Sequence, residues 1–208
     1  EVCATQNTGI RTLKAAIFRT VDDIKPKKTD QYFRMAIDRA FNVKGAGLIV
    51  TGMVFSGVTN LSNPLTVSSI GVQVRVRSIR ANAQKSELAR IGERCAFNIV
   101  GRNVDVRSVR RGNWLLHPKQ FKPTKRVDVE LNILKSESKP LKHWTPTHLH
   151  LGADHLLARV AILEGGKIGA GNSGLAQLVL GRAIFTTHGD HFIIRDQSAK
   201  RTIGGGRI

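Results

Sequence analysis

An acidic and a basic residue, Asp38 and Arg39, stand side by side between two strand-like segments of this chain. The segments are residues 33–37 and 48–55, and a glycine-containing corner at 44–47 separates them. Glycines are typical where a sheet turns sharply, so the pattern predicts the first hairpin of a small antiparallel barrel. The two charged side chains could hold a charged ligand there, or they could form a plain ion pair at a strand end. The residue types alone leave both interpretations open.

The histidines offer a second possible chemistry, because four of them are close together in the sequence: His143, His148, His150 and His155. His148 and His150 are two residues apart and would share one face of a strand, which suits zinc geometrically. No third ligand converges clearly on them, so we predict no metal site. No Ser/His/Asp or Cys/His arrangement stands out either, and we predict no catalytic residues.

Nucleotide hydrolysis has a recognisable sequence signature, and this chain does not carry it. It contains neither G-x-x-x-x-G-K-[ST] nor D-x-x-G. The backbone amides, lysine and magnesium-coordinating hydroxyl that such hydrolysis needs are therefore missing from the sequence. We expect no GTPase activity from these 208 residues alone.

The net charge of the chain indicates a polyanionic partner. Its formal charge is +18, and its sequence pI is about 10.9. Residues 70–126 contain 14 lysines and arginines but only three acids, Glu87, Glu93 and Asp105. Such a surface predicts nucleic acid as the first partner and an anionic membrane as the second. A solvated basic face without a partner is the alternative.

Cysteine usage and hydropathy bear on the compartment. Cys3 and Cys95 are too few and too scattered for a disulfide framework or a thiolate metal site. No apolar run approaches the roughly 18 residues that a membrane span needs, and no signal-peptide pattern opens the chain. These features predict a cytoplasmic protein without a membrane partner. Because the chain starts at Glu1 and ends at Ile208 in a strand-like segment, we expect a fragment of a longer protein.

The periodicity of apolar residues predicts one helix followed by many strands. The helix is predicted at 8–25, with Thr8 as its N-cap, Pro26 at its end and a polar linker over 25–30. Strands are predicted at 72–76, 95–100, 127–133, 149–151, 157–163, 176–180 and 191–195. Many short strands about ten residues apart are typical of barrels or sandwiches. A basic, proline-containing segment at 117–125 predicts a linker, so the predicted fold is mainly β, with two domains after one helix.

Three stretches of the sequence, 33–57, 77–101 and 192–208, closely resemble the selenocysteine-specific elongation factors of bacteria, which are relatives of elongation factor Tu. The similarity runs over the whole chain and is weakest at 58–73. It implies two consecutive small antiparallel β-barrels of the translation-factor type, preceded by one α-helix from a truncated GTPase domain. The implied domains are the tail of the GTPase domain, domain II for the aminoacyl end of a tRNA and domain III for the tRNA stem: 1–28, 31–117 and 125–208.

The residues that distinguish this family lie in its second domain. Asp38 and Arg39 match the D-R of its first strand, and Arg94 matches the arginine of its A-G-Q-R segment. The resemblance implies that these three residues form the pocket for the selenocysteinyl group. A selenol ionises well below the roughly 8.5 of a cysteine thiol, so selenocysteine is an anion at neutral pH whereas serine is neutral. Two guanidiniums held by one carboxylate would favour the anion.

The resemblance also implies contacts with the rest of the tRNA. Four residues of the family's G-x-G-x-V-x-T-G element would lie at the acceptor end, although the glycines could also simply shape a barrel corner: Gly45, Gly47, Thr51 and Gly52. Three basic residues of a closing segment similar to R-D-x-S-A-x-x-T-x-x-G would contact the tRNA backbone: Lys200, Arg201 and Arg207. A solvated basic loop is the alternative for this last group.

Near the start of the chain, Cys3-Ala4-Thr5 is similar to the S/T/C-A-x motif that closes the GTPase domain in these factors. The resemblance implies that these three residues lie near the guanine base in the complete protein. The alternative is a strand end before an ordinary helix.

A function in translation follows from the resemblance. The chain would be the tRNA-binding part of a factor that delivers selenocysteinyl-tRNA to the ribosome at recoded UGA codons in a GTP-dependent way. GTP with Mg would be the cofactor of the full-length protein, and no cofactor is expected for this chain alone. The implied partners are selenocysteinyl-tRNA, the ribosome and, through missing C-terminal domains, an mRNA hairpin. We expect a monomer.

Three alternatives stay open at this point. An elongation factor Tu-like carrier of ordinary aminoacyl-tRNAs would share the fold, but the D-R and G-E-R matches argue against it. The barrel half of a GTP-dependent sulfate-activating subunit shares the architecture without needing a basic surface. A free-standing RNA-binding β-barrel protein would bind RNA in a salt-sensitive way, with no preference for the amino acid on a tRNA.

Overall fold

The computed structural model describes residues 1–23 and 30–208. Within these ranges one α-helix, α1 (Ile10–Asp22), precedes the strands, and a short 3-10 helix spans Pro118–Gln120. The first group of strands is β1 (Arg34–Val43), β2 (Gly47–Ser56), β3 (Val58–Asn60), β4 (Leu65–Val67), β5 (Val72–Ala81), β6 (Gln84–Ser86), β7 (Leu88–Arg90), β8 (Arg94–Val100) and β9 (Trp114–Leu116). The second group is β10 (Thr124–Ile133), β11 (Leu141–Lys142), β12 (Thr145–Leu151), β13 (Asp154–Ile162), β14 (Lys167–Ile168), β15 (Ser173–Ile184), β16 (His191–Arg195) and β17 (Thr202–Arg207).

The first group of strands builds barrel 1. Strands β4, β9, β1, β2, β8 and β5 pair in this order, and a further pairing of β4 with β5 closes the ring. Strand β6 extends the sheet from β5, while β3 pairs separately with β7. On β8, Cys95, Phe97 and Ile99 face the core, whereas the residues between them lie toward the surface. This alternation is what a half-buried strand requires.

The second group builds barrel 2, a closed ring of β10, β15, β13, β12, β16 and β17. Strand β10 buries Val127, Val129, Leu131 and Ile133 in the barrel core, as its alternating sequence predicts. Burial of such side chains is the main favourable contribution to folding. The predicted fold class is confirmed, since the described chain is mainly β and forms two antiparallel barrels after one helix.

The two barrels meet at a junction formed by residues that are distant in sequence. Arg34 on β1 donates two hydrogen bonds to Asp190, which precedes β16, at 3.0 and 2.6 Å. The Arg34 guanidinium also lies 4.7 Å from the centre of the Trp114 ring. Gly152 packs so closely on Trp114 that an added Cβ would come within 2.9 Å of the indole. Phe185 completes this junction beside Trp114.

The start of the helix differs from the sequence prediction. Thr8 is not the N-cap, because its backbone exchanges two hydrogen bonds with Cys3, at 3.0 and 3.1 Å. Gly9 precedes α1 instead, with a φ of 71° that glycine adopts without strain. The helix ends at Asp22, and the predicted terminator Pro26 lies outside the described residues, as does most of the predicted 25–30 linker. No helix in the described ranges is long and apolar enough to cross a membrane.

Candidate functional site

A β-bulge on β1 places two consecutive charged residues on the outside of barrel 1. Ile37 pairs with Gly52 and Arg39 pairs with Thr51, so Asp38 is an extra residue between two paired positions. Because of this insertion the alternation shifts by one residue, and Ala40 rather than Arg39 packs against the core. Bulges re-aim side chains in this way and are common beside functional sites. Asp38 and Arg39 therefore both point away from the core.

Arg94 reaches the same outer face from the first position of β8. The tight turn before it is fixed by a hydrogen bond from the Gly92 amide to the Val54 carbonyl at 2.9 Å, and Gly92 has a φ of 85°. The Arg94 guanidinium pairs with both carboxylate oxygens of Asp38, with 3.0 Å between Nη2 and Oδ1. Thr51 donates a hydrogen bond of 2.8 Å to the same carboxylate. The structure thus brings Asp38, Thr51 and Arg94 together.

This ion pair is open to solvent. The Arg94 side chain is 50% exposed and the Asp38 side chain is 25% exposed. Partial burial alone would raise the pKa of Asp38. The hydrogen bonds from Arg94 and Thr51, together with the positive charges of Arg94 and Arg39, outweigh that effect and hold the pKa below its usual range. Asp38 is therefore a carboxylate throughout the physiological pH range.

Arg39 is close to this pair but is not part of it. Its charge helps to lower the pKa of Asp38, and its backbone pairs with Thr51. The side chain is exposed, and it makes no hydrogen bond or ion pair with any residue in the described ranges. Of the three residues implied for the selenocysteinyl pocket, two are in direct contact and the third is adjacent.

A shallow pocket of about 350 Å³ lies on the outer face beside Arg94. Six of its lining residues come from β2, β5, β8 and the β5–β6 turn: Thr51, Arg80, Asn82, Ala83, Arg94 and Ala96. Thr51, Ala96 and Arg80 are direct backbone neighbours across β2, β8 and β5, so they form one row of the sheet. Ala96 is the smallest of the three and leaves room between the other two. We call this cavity the outer pocket.

Cys95 also borders the outer pocket through its backbone, but its thiol faces the core. Burial, and to a lesser extent the charge of Glu93, raises the pKa of the Cys95 thiol to about 11. The thiol is therefore neutral at physiological pH and behaves as a small apolar side chain.

The glycines of the β1–β2 hairpin differ in how closely other atoms pack against them. Gly45 and Gly47 have φ angles of 81° and 94°, and an added Cβ at either would meet nothing within 4 Å. Gly52 is buried against β1, where an added Cβ would overlap the Ala36 carbonyl oxygen. Gly52 is thus required by barrel packing, whereas Gly45 and Gly47 shape an open corner. That corner is at the far end of the hairpin from Thr51, separated by about four residues or 13 Å of strand.

The closing segment is held by its own acidic residue. Asp196 accepts backbone hydrogen bonds from Lys200 and Arg201 at 2.9 and 3.1 Å. The hydrogen bond from the Arg201 amide is the main cause that lowers the pKa of Asp196, and further hydrogen bonds add to it. Burial acts in the opposite direction, but the pKa stays below its usual range. The Arg201 guanidinium pairs with Glu137, so part of its charge is neutralised within the chain. Arg207 ends β17, six residues or about 20 Å of extended chain away from Arg201. These basic residues do not form one compact cluster.

The N-terminal motif lies in a turn closed by the Cys3–Thr8 backbone pair. The Asn7 amide donates a hydrogen bond of 3.4 Å to the Ala4 carbonyl within this turn. The Cys3 sulfur lies 3.2 Å from the Thr5 hydroxyl. Hydrogen bonding with Thr5 is the main cause that lowers the pKa of the Cys3 thiol. The backbone of the motif is thus held by hydrogen bonds within the turn.

Two of the four histidines are in contact with each other across neighbouring strands of barrel 2. His150 stacks on His155 across β12 and β13, with 5.9 Å between ring centres. Burial, followed by the charges of Arg195, His155 and His148, lowers the pKa of His150. The His148 ring nitrogen Nε2 lies 3.2 Å from the Gln197 carbonyl oxygen. Within the described ranges, no group of three or more His, Cys, Asp or Glu residues could hold a metal ion.

Sequence reasoning missed part of the outer pocket. Arg80, Asn82, Ala83 and Ala96 line it, but none of them belongs to a motif that the sequence singles out. The available signal was Asn82, since asparagine tolerates the left-handed conformation of a hairpin turn. Asn82 and Ala83 have φ angles of 49° and 69°, and they join β5 to β6.

Comparisons with known proteins agree with one another. Residues 124–208 match the family model of the selenocysteine-specific elongation factor, beta-barrel domain. The chain is 34% identical over 100% of its length to the selenocysteine-specific elongation factor of Desulfomicrobium baculatum, and 35% identical over 99% to that of Escherichia coli. It covers 32% and 31% of these two proteins, so the chain spans about a third of the length of the curated relatives that it matches.

Solved structures give the same result for the fold. Elongation factor SelB of Methanococcus maripaludis aligns with a TM-score of 0.80 at 24% identity, over 99% of this chain and 48% of the other. A bacterial selenocysteine-specific elongation factor aligns with a TM-score of 0.79 at 25% identity, over 98% of this chain and 32% of the other. Together with the whole-length sequence matches, these similarities show that the chain belongs to the selenocysteine-specific elongation factor family.

Proposed function

We propose that this chain is the tRNA-binding part of a factor that delivers selenocysteinyl-tRNA to the ribosome at recoded UGA codons in a GTP-dependent way. Barrel 1 would hold the aminoacyl end of the tRNA, and barrel 2 would contact the tRNA stem. The corresponding domain limits are 1–28, 31–117 and 125–208. The chain's membership of the selenocysteine-specific elongation factor family supports this proposal.

The observation that carries the proposal is the exposed Arg94–Asp38 pair beside the outer pocket. Asp38 holds the Arg94 guanidinium in one orientation through two contacts, while half of the arginine side chain stays accessible. A guanidinium held in this way can receive an anionic selenolate without the entropy cost of ordering its own side chain. A neutral serine hydroxyl would gain much less from the same group.

The other contacts of the tRNA remain proposals of the same kind. Gly45, Gly47, Thr51 and Gly52 would lie near the acceptor end, and Lys200, Arg201 and Arg207 near the backbone of the stem. The open space above Gly45 and Gly47 supports a close approach of RNA there. Arg201 is the weakest member of the second group, because Glu137 already pairs with it. The ribosome would be the further partner, and a cytoplasmic location would follow from this role.

GTP with Mg would be the cofactor of the complete factor, since proteins of this family are GTPases. In this chain only the Cys3-Ala4-Thr5 turn is proposed to approach the nucleotide, at the guanine base. The turn fits a contact of this type because its backbone is fixed by hydrogen bonds between Cys3 and Thr8. GTP supplies the phosphoryl chemistry when it is bound, and these residues would only hold the base.

Replacement of Arg94 by alanine tests the proposal. In the R94A variant, the preference for a selenocysteinyl-RNA acceptor arm over the seryl form should be about tenfold smaller than in the wild type. The reason is that a charge-assisted hydrogen bond to the anion is lost. The affinities can be measured by protection of the ester bond from hydrolysis. The matched control is R75A, which removes one exposed charge from β5 outside the outer pocket and should weaken both complexes equally.

An unchanged preference in R94A would contradict the assignment of the pocket. A wild-type chain that binds both acceptor arms equally would instead favour an RNA-binding protein or a carrier of ordinary aminoacyl-tRNAs. The comparisons with known proteins do not favour the sulfate-activating alternative.

A further inference from the structure

The Arg94–Asp38 pair has no net charge, because one guanidinium faces one carboxylate. An anion placed beside the pair is attracted by Arg94 and repelled by Asp38. The carboxylate fixes the arginine in place and at the same time offsets part of its attraction for the anion. Arg39 adds a positive charge near the pair, but it is not among the residues that line the outer pocket, so a further positive charge on the pocket wall would strengthen the attraction of an anion.

Arg80 is the residue in the right place to supply that charge. It lines the outer pocket together with Arg94, and its backbone is directly opposite Ala96 on β8. Arg94 is two positions before Ala96, so Arg80 and Arg94 are diagonal neighbours with roughly 7 Å between their Cβ atoms. Both side chains are exposed. The small Ala96 side chain between them leaves the floor of the pocket flat.

The Arg80 charge is not neutralised by the rest of the chain. Its side chain forms no hydrogen bond or ion pair with any residue in the ranges that the structure describes. Its direct neighbour on β6 is Lys85, which is also exposed and also positive. Like charges opposite each other on antiparallel strands are destabilising, with Cβ atoms about 5 Å apart. A bound anion would relieve this repulsion.

The hairpin that carries Arg80 is fixed against the strand that carries Arg94. The Asn82 amide donates a hydrogen bond of 2.9 Å to the Arg94 carbonyl. The turn places Ala83 at a φ of 69°, an uncommon and strained conformation for a residue with a Cβ. Strained turns persist where the surrounding structure requires them. The spacing between the Arg80 and Arg94 backbones is thus set before any ligand binds.

We propose that Arg80 is a specificity-determining residue of the outer pocket and provides an additional positive charge on the pocket wall that helps to select an anionic aminoacyl group over a neutral one. In this arrangement Asp38 orients Arg94, Arg94 donates hydrogen bonds to the ligand, and Arg80 balances the ligand charge. This inference rests on the proposed function, because it assumes that the outer pocket receives the aminoacyl group.

The test compares three variants of the full chain: R80Q, R80K and R77Q. Selenocysteinyl- and seryl-RNA acceptor arms serve as the probes, and the measured quantity is the ratio of their dissociation constants. R80Q should reduce the preference for the selenocysteinyl form about tenfold, whereas R80K keeps the charge and should retain most of it. R77Q removes an exposed charge from the same strand outside the pocket, so it should weaken both complexes and leave the ratio unchanged.

The outcomes separate this inference from the proposed function. If the wild-type chain prefers the selenocysteinyl probe and R80Q keeps the full preference, the role of Arg80 is wrong while the proposed function stands. If R77Q changes the ratio as much as R80Q, general charge and not the pocket determines the preference, and the role of Arg80 is again wrong. If the wild-type chain has no preference, both the proposed function and this inference fail.

Discussion

Two arginine–aspartate pairs involve the same strand, β1, and they differ in how far they are buried. Arg34 pairs with Asp190 at the junction of the barrels, and the two side chains are 3% and 9% exposed. Four residues further along β1, Asp38 pairs with Arg94, where the exposures are 25% and 50%. Both arginines make two contacts with their carboxylates. The two pairs have the same chemistry, so burial is the main difference between them.

At the junction both charged side chains have several protein partners. Asp190 accepts hydrogen bonds from Arg34, from the Thr186 hydroxyl at 2.8 Å and from the Thr187 amide at 3.0 Å. Trp114 covers the guanidinium. The pair is largely buried, so we interpret it as a structural contact that holds the barrels together. The outer pair has solvent on one side and Ala96 beside it, and it can therefore take a ligand.

Replacement of Arg34 by alanine is the strongest way to test this comparison. The R34A variant leaves Asp190 buried without its counter-charge, which should lower the free energy of unfolding by about 3–5 kcal/mol. R94A removes the same kind of side chain from the outer pair and should cost less than about 1 kcal/mol. Urea unfolding of both variants measures the two values. Equal losses would show that burial does not distinguish the two pairs.

Covering the Arg94–Asp38 pair with an apolar side chain should make it less accessible to a ligand, like the Arg34–Asp190 pair at the junction. The A96L variant places a leucine on the floor of the outer pocket, and we expect both acceptor arms to bind about tenfold more weakly because the space is filled. Stability should change little, since Ala96 is only partly buried. S78L, which adds a leucine to the same outer face outside the pocket, is the control. Normal RNA binding by A96L would place the aminoacyl group elsewhere.

The smallest expected effect concerns the pH dependence of the outer pair. The pKa of Asp38 is lowered in the folded chain, so its contribution to stability is present above the unfolded pKa and is lost as the pH falls through the folded pKa. D38N should therefore be less stable than wild type by under about 1 kcal/mol near neutral pH, and the difference should become smaller in acid. Unfolding free energies at about pH 6 and about pH 3 measure this. A difference that is as large at about pH 3 as at about pH 6 would mean that the Asp38 charge is not its cause.

The fold class could be predicted because most long strands carry a clear alternation. Val127, Val129, Leu131 and Ile133 predict a strand and its buried face, and both are observed. Strands of only two or three residues, such as β6 and β11, contain too few positions for a period to show. The sequence predicts Thr8 as the N-cap, but the Thr8 backbone is hydrogen-bonded to Cys3 and Gly9 is the N-cap instead.

The candidate site could be predicted only in part. Asp38, Arg39 and Arg94 were identified by resemblance, and the structure adds the pairing of Asp38 with Arg94. The bulge had a signal, since Asp38 and Arg39 stand together between the core residues Ile37 and Ala40. Arg80 had none, because it is one of many arginines in a basic region and its role depends on strand pairing. The junction was also beyond prediction, as Arg34 and Asp190 are 156 residues apart.

The position of both pairs on β1 has a mechanical consequence. Arg34 and Asp38 are separated by four residues, or about 13 Å of extended backbone. A hydrogen-bonded strand of this length is stiff, so β1 connects the junction of the two barrels rigidly to the outer pocket. The length of this segment therefore sets the distance between the junction and the outer pocket. A single inserted residue between Arg34 and Asp38 would lengthen this segment by about 3 Å and would also shift the alternation of β1 by one residue, so it would disturb the core of barrel 1 as well as move the pocket.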